Sequence, residues 1–195
     1  MTKSSGADVD LVEKNRRIEK NVRDCESLAE SYLEHILLFI SSNNPDNHLF
    51  RNFIDSWFAY HKKGPFLNSN QRPRWFNNPS PVKDRPALLN MHFVSAAAFQ
   101  IIETKSDTRL IKEHSIPVSI LLALLSAAKP RKLSDVENFL LRYYRLGVIT
   151  KEEDNRISRL GYKSKMPTGW SKGCSVLERY EVAGIASASL ESSTN

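Results

Sequence analysis

A basic segment with interleaved aromatic residues, positions 61–86, contains the residue types best suited to a chemical role. Lysine and arginine can follow a phosphate backbone, and an aromatic ring can stack on an unpaired base. We therefore predict that this segment binds nucleic acid, with Phe66 and Phe76 as additional stacking candidates. The predicted contacts are Lys62, Lys63, Arg72, Arg74, Trp75, Lys83 and Arg85. The alternative is a basic connector whose tryptophan packs into the protein's own core.

A second basic set lies on two predicted short helices, arranged as in a helix-turn-helix unit. Members of each arginine pair stand three residues apart, so they share a helix face and can contact phosphates together. The acidic residues at 152–154 leave open the alternative that these charges only pair on a solvated face. The predicted contacts are Arg142, Arg145, Arg156, Arg159, Lys163 and Lys165.

Arg109 and His114 form a candidate catalytic pair. Histidine can act as a general acid or base, and arginine can hold a phosphate. Their Arg-x4-His spacing resembles that of the HEPN ribonucleases, and Arg85 with His92 has the longer version of the spacing. The resemblance implies an all-helical ribonuclease with Arg109 and His114 in its active site. Leu110 stands where that family usually has a polar residue, and an arginine-rich chain also produces such spacings by chance.

Cysteine and histidine spacing predicts no metal site, and nothing in the sequence predicts a cofactor. Cys25 and Cys174 lie far apart, without a second cysteine or a histidine at metal-ligand spacing. We expect both thiols to be buried. No serine occurs in a Gly-x-Ser-x-Gly turn, so a serine triad has no support. A binding protein is favoured over an enzyme.

The elements that must position these residues are mostly helical. The clearest helix covers residues 18–39, where apolar residues alternate at steps of four and three. The stripe consists of Ile18, Val22, Cys25, Ala29, Tyr32, Ile36 and Phe39. Because the spacing also fits a heptad, residues 11–40 are a candidate surface for a homodimer or a protein partner. An aromatic stripe at 49–58 predicts a second helix that belongs to the core.

Further helices are indicated by proline, capping and glycine signals. Pro86 can open a helix that runs through Ile101, and another apolar helix begins near Pro117. Ser134 with Glu137, and Thr150 with Glu153, have the spacing of capping boxes, which predicts two helix starts. These helices are predicted to end at Gly147 and Gly161, and a last one covers 175–183. No run of alternating strands separated by hairpin turns is present.

Composition supports a folded chain with a basic surface. The 195 residues are 41% hydrophobic and 26% charged, which argues against general disorder, and the net charge of +6 favours polyanionic partners. We predict an all-α or nearly all-α bundle of six to seven helices, as one domain over 1–185 with a flexible tail at 186–195. No signal peptide or membrane span is evident, so we expect a cytoplasmic protein.

The function predicted from the sequence is association with DNA or RNA through the phosphate backbone. Two alternatives remain open: a HEPN-like ribonuclease, and a regulatory factor that dimerises through its first helix.

Overall fold

The computed structural model describes residues 6–62, 66–67 and 82–188, and it is mostly helical with a small sheet. The helices are α1 (Gly6–Ser41), α2 (Asn47–Lys62), α3 (Ala96–Glu103), α4 (Val118–Ala128), α5 (Leu133–Tyr143), α6 (Lys151–Arg159) and α7 (Glu178–Val182). A 3-10 helix covers Val82–Asn90. The strands are β1 (Phe93–Val94), β2 (Leu110–His114) and β3 (Leu146–Thr150). The expected all-α or nearly all-α class is therefore confirmed as a mostly helical fold, which the small sheet keeps from being purely all-α.

The main core lies between the long helices. The α1 helix packs along α2 and also contacts α5, while α4 packs on α2 and α5. The predicted stripe of α1 is buried from Cys25 to Phe39, and the aromatic stripe of α2 is buried at Phe50, Trp57 and Phe58. The apolar face of this part of α1 therefore packs against other helices of the same chain. Cys174 is exposed, so the expectation of a second buried thiol was wrong.

The sheet has the strand order β1-β3-β2, with β1 parallel and β2 antiparallel to the central strand. All five residues of β3 are buried. A short, fully buried strand shows no polar-apolar alternation, so β3 has no alternating pattern by which it could be predicted. Beyond β1, Ser95 forms an isolated bridge with Ser187, so part of the predicted tail is paired with the fold.

Gly147 lies in β3 and does not end a helix. The α5 helix ends earlier, at Tyr143. A Cβ atom at position 147 would lie 3.2 Å from both the Cβ and the backbone oxygen of Phe93. The close pairing of β1 with β3 therefore depends on the absence of a side chain at Gly147. Gly161, in contrast, follows α6 with a φ of +80°, as predicted for a left-handed cap.

The predicted helix from Pro86 to Ile101 was wrong, because β1 interrupts it. Pro86 lies inside the 3-10 helix. Phe93 and Val94 pair with Gly147 and Val148, and α3 begins only after Ser95. Pairing with the buried central strand therefore outweighs the local helical preference of this segment.

Of the two predicted capping boxes, the one at the start of α6 was confirmed. Thr150 Oγ1 accepts the Glu153 amide at 3.2 Å, and Glu153 Oε2 accepts the Thr150 amide at 2.8 Å. At α5, Asp135 replaces the predicted pair, since its Oδ2 accepts the Arg131 amide at 3.0 Å. Within the described residues, no helix combines the length and apolar character needed to cross a membrane.

Glu153 also joins α6 to α3, because its Oε2 accepts the Ser95 hydroxyl at 2.6 Å. We expect Glu153→Ala to lower the free energy of unfolding by about 2 kcal/mol, since it leaves the buried Ser95 hydroxyl and the Thr150 amide without an acceptor. Chemical denaturation of the purified protein measures this change. The control is Glu152→Ala, an exposed position on the same helix. Equal losses from the two substitutions would contradict the role of the buried carboxylate.

Candidate functional site

A buried carboxylate on α2, that of Asp55, is the centre of the most connected polar group in the core. Asp55 is 4% exposed and lies between the aromatic residues of the α2 stripe. Its Oδ1 accepts hydrogen bonds from Tyr144 Oη and His114 Nε2, both at 2.7 Å. Its Oδ2 accepts one from Lys112 Nζ at 3.0 Å. Three donors therefore compensate one buried charge.

The strand β2 supplies two of these donors because alternate residues of a strand face the same side. Lys112 and His114 both face α2. Tyr144 follows the last residue of α5 and reaches the same oxygen as His114. The network thus links α2, β2 and the connection into β3.

The surroundings of Asp55 hold the pKa of its carboxyl below the usual range. Burial alone would raise the pKa, but the charge and hydrogen bond of His114, the charge of Lys112 and the hydrogen bond of Tyr144 outweigh it. For Tyr144, burial and the adjacent Asp55 charge raise the pKa well above 10.0. The tyrosine therefore keeps its proton and remains a hydrogen-bond donor.

A second buried charge holds the other side of β2. Arg179, in α7, is fully buried, and its Nη2 donates to Glu113 Oε1 at 2.6 Å. Its Nη1 donates to the backbone oxygen of His114 at 3.3 Å. The end of β2 is therefore held from both sides, by Asp55 and by Arg179.

A cleft of about 500 Å³ opens beside the end of β2. His114 lines this cleft, and its Nδ1 makes no hydrogen bond in the part of the chain that the structure describes. An imidazole held on one nitrogen by a carboxylate and open on the other can donate, accept or transfer a proton. The other lining residues are Asn47, His48, Arg51, Glu113, Pro117, Val118, Ser119, Asp154, Lys163 and Ser164.

A cluster of positive charge surrounds His92, on the other side of Tyr144. The imidazole packs on Phe58, with 4.8 Å between ring centroids, and its Nδ1 accepts the Leu146 amide at 3.2 Å. Burial, followed by the charges of Arg145, Lys62 and His61, lowers the pKa of His92 to about 4. We call Lys62, His61, His92 and Arg145 the His92 cluster.

The structure does not bring the predicted catalytic pair together. Arg109 is exposed just before β2, and His114 is the buried last residue of that strand. Five residues of extended chain separate their Cα atoms by roughly 16 Å. Arg85 and His92 have the longer version of the spacing, and in this pair the arginine is buried beneath the surface. The resemblance implied an all-helical ribonuclease, whereas Arg109 precedes a strand and His114 ends it.

Arg85, which was predicted to contact phosphate, lies beneath the surface. It is 2% exposed, and its guanidinium donates to the backbone oxygens of Ser106 and, at 3.1 Å, of Asp107. Phe66 is also buried, packed on Phe58, so it is not a stacking platform. Lys62 is exposed. Lys63, Arg72, Arg74, Trp75 and Phe76 lie outside the described residues, as does the side chain of Lys83.

The second predicted basic set has its charges at or near the surface. Arg145 Nη1 donates to the backbone oxygens of Leu141 and Tyr144, and Arg156 Nη1 donates to those of Ala183 and Gly184. Arg145 is half-buried, and the others are exposed, namely Arg142, Arg156, Arg159, Lys163 and Lys165. In the described part of the chain, none of the six forms an ion pair with a carboxylate.

Sequence reasoning missed Asp55 and Tyr144. One signal was present, because Asp55 interrupts the apolar stripe of α2, and a charge at such a position needs a buried partner. Nothing in the sequence identified that partner. Within the described residues, no group of three or more histidine, cysteine, aspartate or glutamate side chains is placed to hold a metal ion.

Comparison of the chain with known protein families, with curated proteins and with solved structures gives no match. The function must therefore be argued from the chain's own geometry.

The Asp55 network gives a stability prediction. We expect Asp55→Asn to lower the free energy of unfolding by about 3 kcal/mol near neutral pH, because it removes the charge that Lys112 and His114 contact. Since folding depresses the pKa of Asp55 from 3.8, its contribution is present above that value and is lost as pH falls through the lower folded value. The deficit of the variant, measured by denaturation, should shrink below about pH 4.

The control for this series is Asp24→Asn, which removes an exposed carboxylate on α1. We expect a change of at most about 0.5 kcal/mol from that substitution. A deficit for Asp55→Asn that is equally small would contradict the network.

The His92 cluster gives a titration prediction. Measured by NMR of the imidazole, His92 should titrate near pH 4, against 6.5 for an unperturbed histidine. Arg145→Gln should raise the midpoint because it removes a nearby positive charge. The matched control is Arg142→Gln, one turn earlier, which should leave the midpoint unchanged. A midpoint near 6.5 in the wild-type protein would contradict the cluster.

Proposed function

We propose that this protein binds nucleic acid through contacts with the phosphate backbone. Such binding needs positive side chains that are open to solvent and have no carboxylate partner. The sequence has a net charge of +6. The described cations of the second basic set meet the requirement best.

The observation that carries the proposal is the position of the acidic residues beside these cations. Glu153 faces inward, bonded to Ser95 and to the Thr150 amide. Asp154 is bonded to Lys151, at 2.5 Å between Oδ2 and Nζ. Glu152 is the remaining exposed carboxylate of this acidic run. Arg159, exposed on the same helix, therefore keeps its charge available to a polyanion.

The His92 cluster extends the proposed interface. Lys62 and Arg145 both lower the pKa of His92, so each contributes positive potential at this side chain. A phosphate close to His92 would be attracted by both charges. Lys62 is followed directly by Lys63 in the basic segment predicted to bind single strands.

The two alternatives receive less support. A ribonuclease that uses Arg109 with His114 would need the two side chains at one substrate, and they lie at opposite ends of β2. Dimerisation through residues 11–40 would use a stripe whose members Cys25, Ala29, Ile36 and Phe39 are buried within the chain. We therefore do not extend the proposal to either.

The proposal predicts a salt-dependent affinity for RNA or DNA. The combined substitution Arg159→Gln and Lys165→Gln should weaken binding and should reduce the slope of log affinity against log salt by about 2, since two phosphate contacts are removed. Fluorescence anisotropy with labelled single- and double-stranded oligonucleotides across a salt series measures the slope.

The matched control removes two exposed positive charges from α1, through Lys20→Gln and Arg23→Gln. Its slope should stay close to that of the wild type. The proposal fails if the wild-type protein binds none of these oligonucleotides at low salt, or if both double variants lose affinity equally.

A further inference from the structure

The cleft beside His114 has an excess of positive charge, and of the two cations that line it, Lys163 belongs to the proposed nucleic-acid surface whereas Arg51 does not. Arg51, from α2, and Lys163, from the segment after α6, both line it and are exposed. Neither forms an ion pair with a carboxylate among the residues described. The cleft therefore presents two uncompensated cations.

The carboxylates that line the same cleft are already neutralised. Glu113 is bonded to the buried Arg179 at 2.6 Å, and Asp154 to Lys151 at 2.5 Å. Both partner cations lie outside the lining of the cleft. An anion in the cleft would therefore meet the charges of Arg51 and Lys163 with little opposing repulsion.

The amino end of α4 contributes backbone donors to this cleft. Its cap residue is Pro117, which makes no side-chain hydrogen bond, and the first intrahelical bonds are those from the Ile120 and Leu121 amides to the Pro117 oxygen. The amides of Val118 and Ser119 therefore remain as donors at the positive end of the helix dipole. The amino end of α2, at the same cleft, differs because Asp46 already caps it.

His114 supplies an independent indication of a ligand. Its side chain is only 6% exposed, it lines the cleft, and its Nδ1 has no partner among the described residues. Asp55 holds Nε2, so the ring orientation is fixed before any ligand arrives. His114 Nδ1 therefore has no hydrogen-bond partner within the described protein, and a molecule in the cleft can bond to it.

We propose that this cleft is a binding site for a phosphate group. The phosphate oxygens would accept hydrogen bonds from the Val118 and Ser119 amides and, when the His114 ring carries both protons, from its Nδ1, while Arg51 and Lys163 balance the charge. A volume of about 500 Å³ admits a mononucleotide as well as free phosphate. The phosphate group has three possible sources: inorganic phosphate, a nucleoside monophosphate, or the phosphorylated end of a nucleic acid strand.

The test measures binding to the full chain at low ionic strength, by calorimetry. The probes are inorganic phosphate, adenosine 5'-monophosphate, and one short RNA prepared with and without a 5'-phosphate. We expect at least one phosphate-bearing probe to bind and to perturb the NMR signals of the His114 ring. Arg51→Gln and Lys163→Gln should each weaken that binding by about tenfold.

The matched control is Arg23→Gln, which removes an exposed arginine of α1 outside the cleft and should change the affinity by less than about twofold. Thermal unfolding of each variant checks that the fold is retained. Binding of phosphate and nucleotide identifies a small-molecule site, whereas binding that requires the RNA 5'-phosphate identifies a strand-end site.

The inference is overturned if no phosphate-bearing probe binds, or if Arg51→Gln binds as the Arg23→Gln control does. It is also overturned if the RNA binds equally with and without its 5'-phosphate and the small probes do not bind. That last result leaves the proposed backbone binding intact, so the two proposals fail separately.

Discussion

The negative charge of Asp55, buried among aromatic side chains, is the constraint on which the arrangement of the core depends. Moving a carboxylate out of water costs several kcal/mol, and only well-placed donors offset that loss. Those donors come from β2 and from Tyr144, so satisfying one side chain of α2 also fixes where the sheet lies against the helices. The same bonds hold His114 in one orientation at the wall of the cleft.

A common pattern connects the fold with the proposed functions. Asp55, Glu153 and Glu113 each use their carboxylates to join separate parts of the chain. The basic side chains of α6 and of the segment after it remain at the surface. Among the described residues, the buried carboxylates of Asp55 and Glu153 are matched in number by the buried Arg85 and Arg179, so the net charge of +6 is carried by the rest of the chain.

His92 and His114 illustrate how much of a site depends on long-range contacts. Both lie near Tyr144, yet one accepts an amide among cations and the other bonds to a carboxylate. Their partners are 54 and 59 residues away along the chain. Local spacing therefore could not distinguish the two histidines, and it led to Arg109 as the partner of His114.

The sequence alone determined the features that arise between residues a few positions apart. The stripes of α1 and α2, the Thr150 cap and the Gly161 turn depend on helical spacing and local hydrogen bonds, and all were predictable. Only the tertiary structure decided that Gly147 pairs with Phe93, that Asp55 meets His114 and that Arg85 is buried. Those contacts join distant segments, and their stability comes from burial and strand pairing that local sequence patterns do not encode.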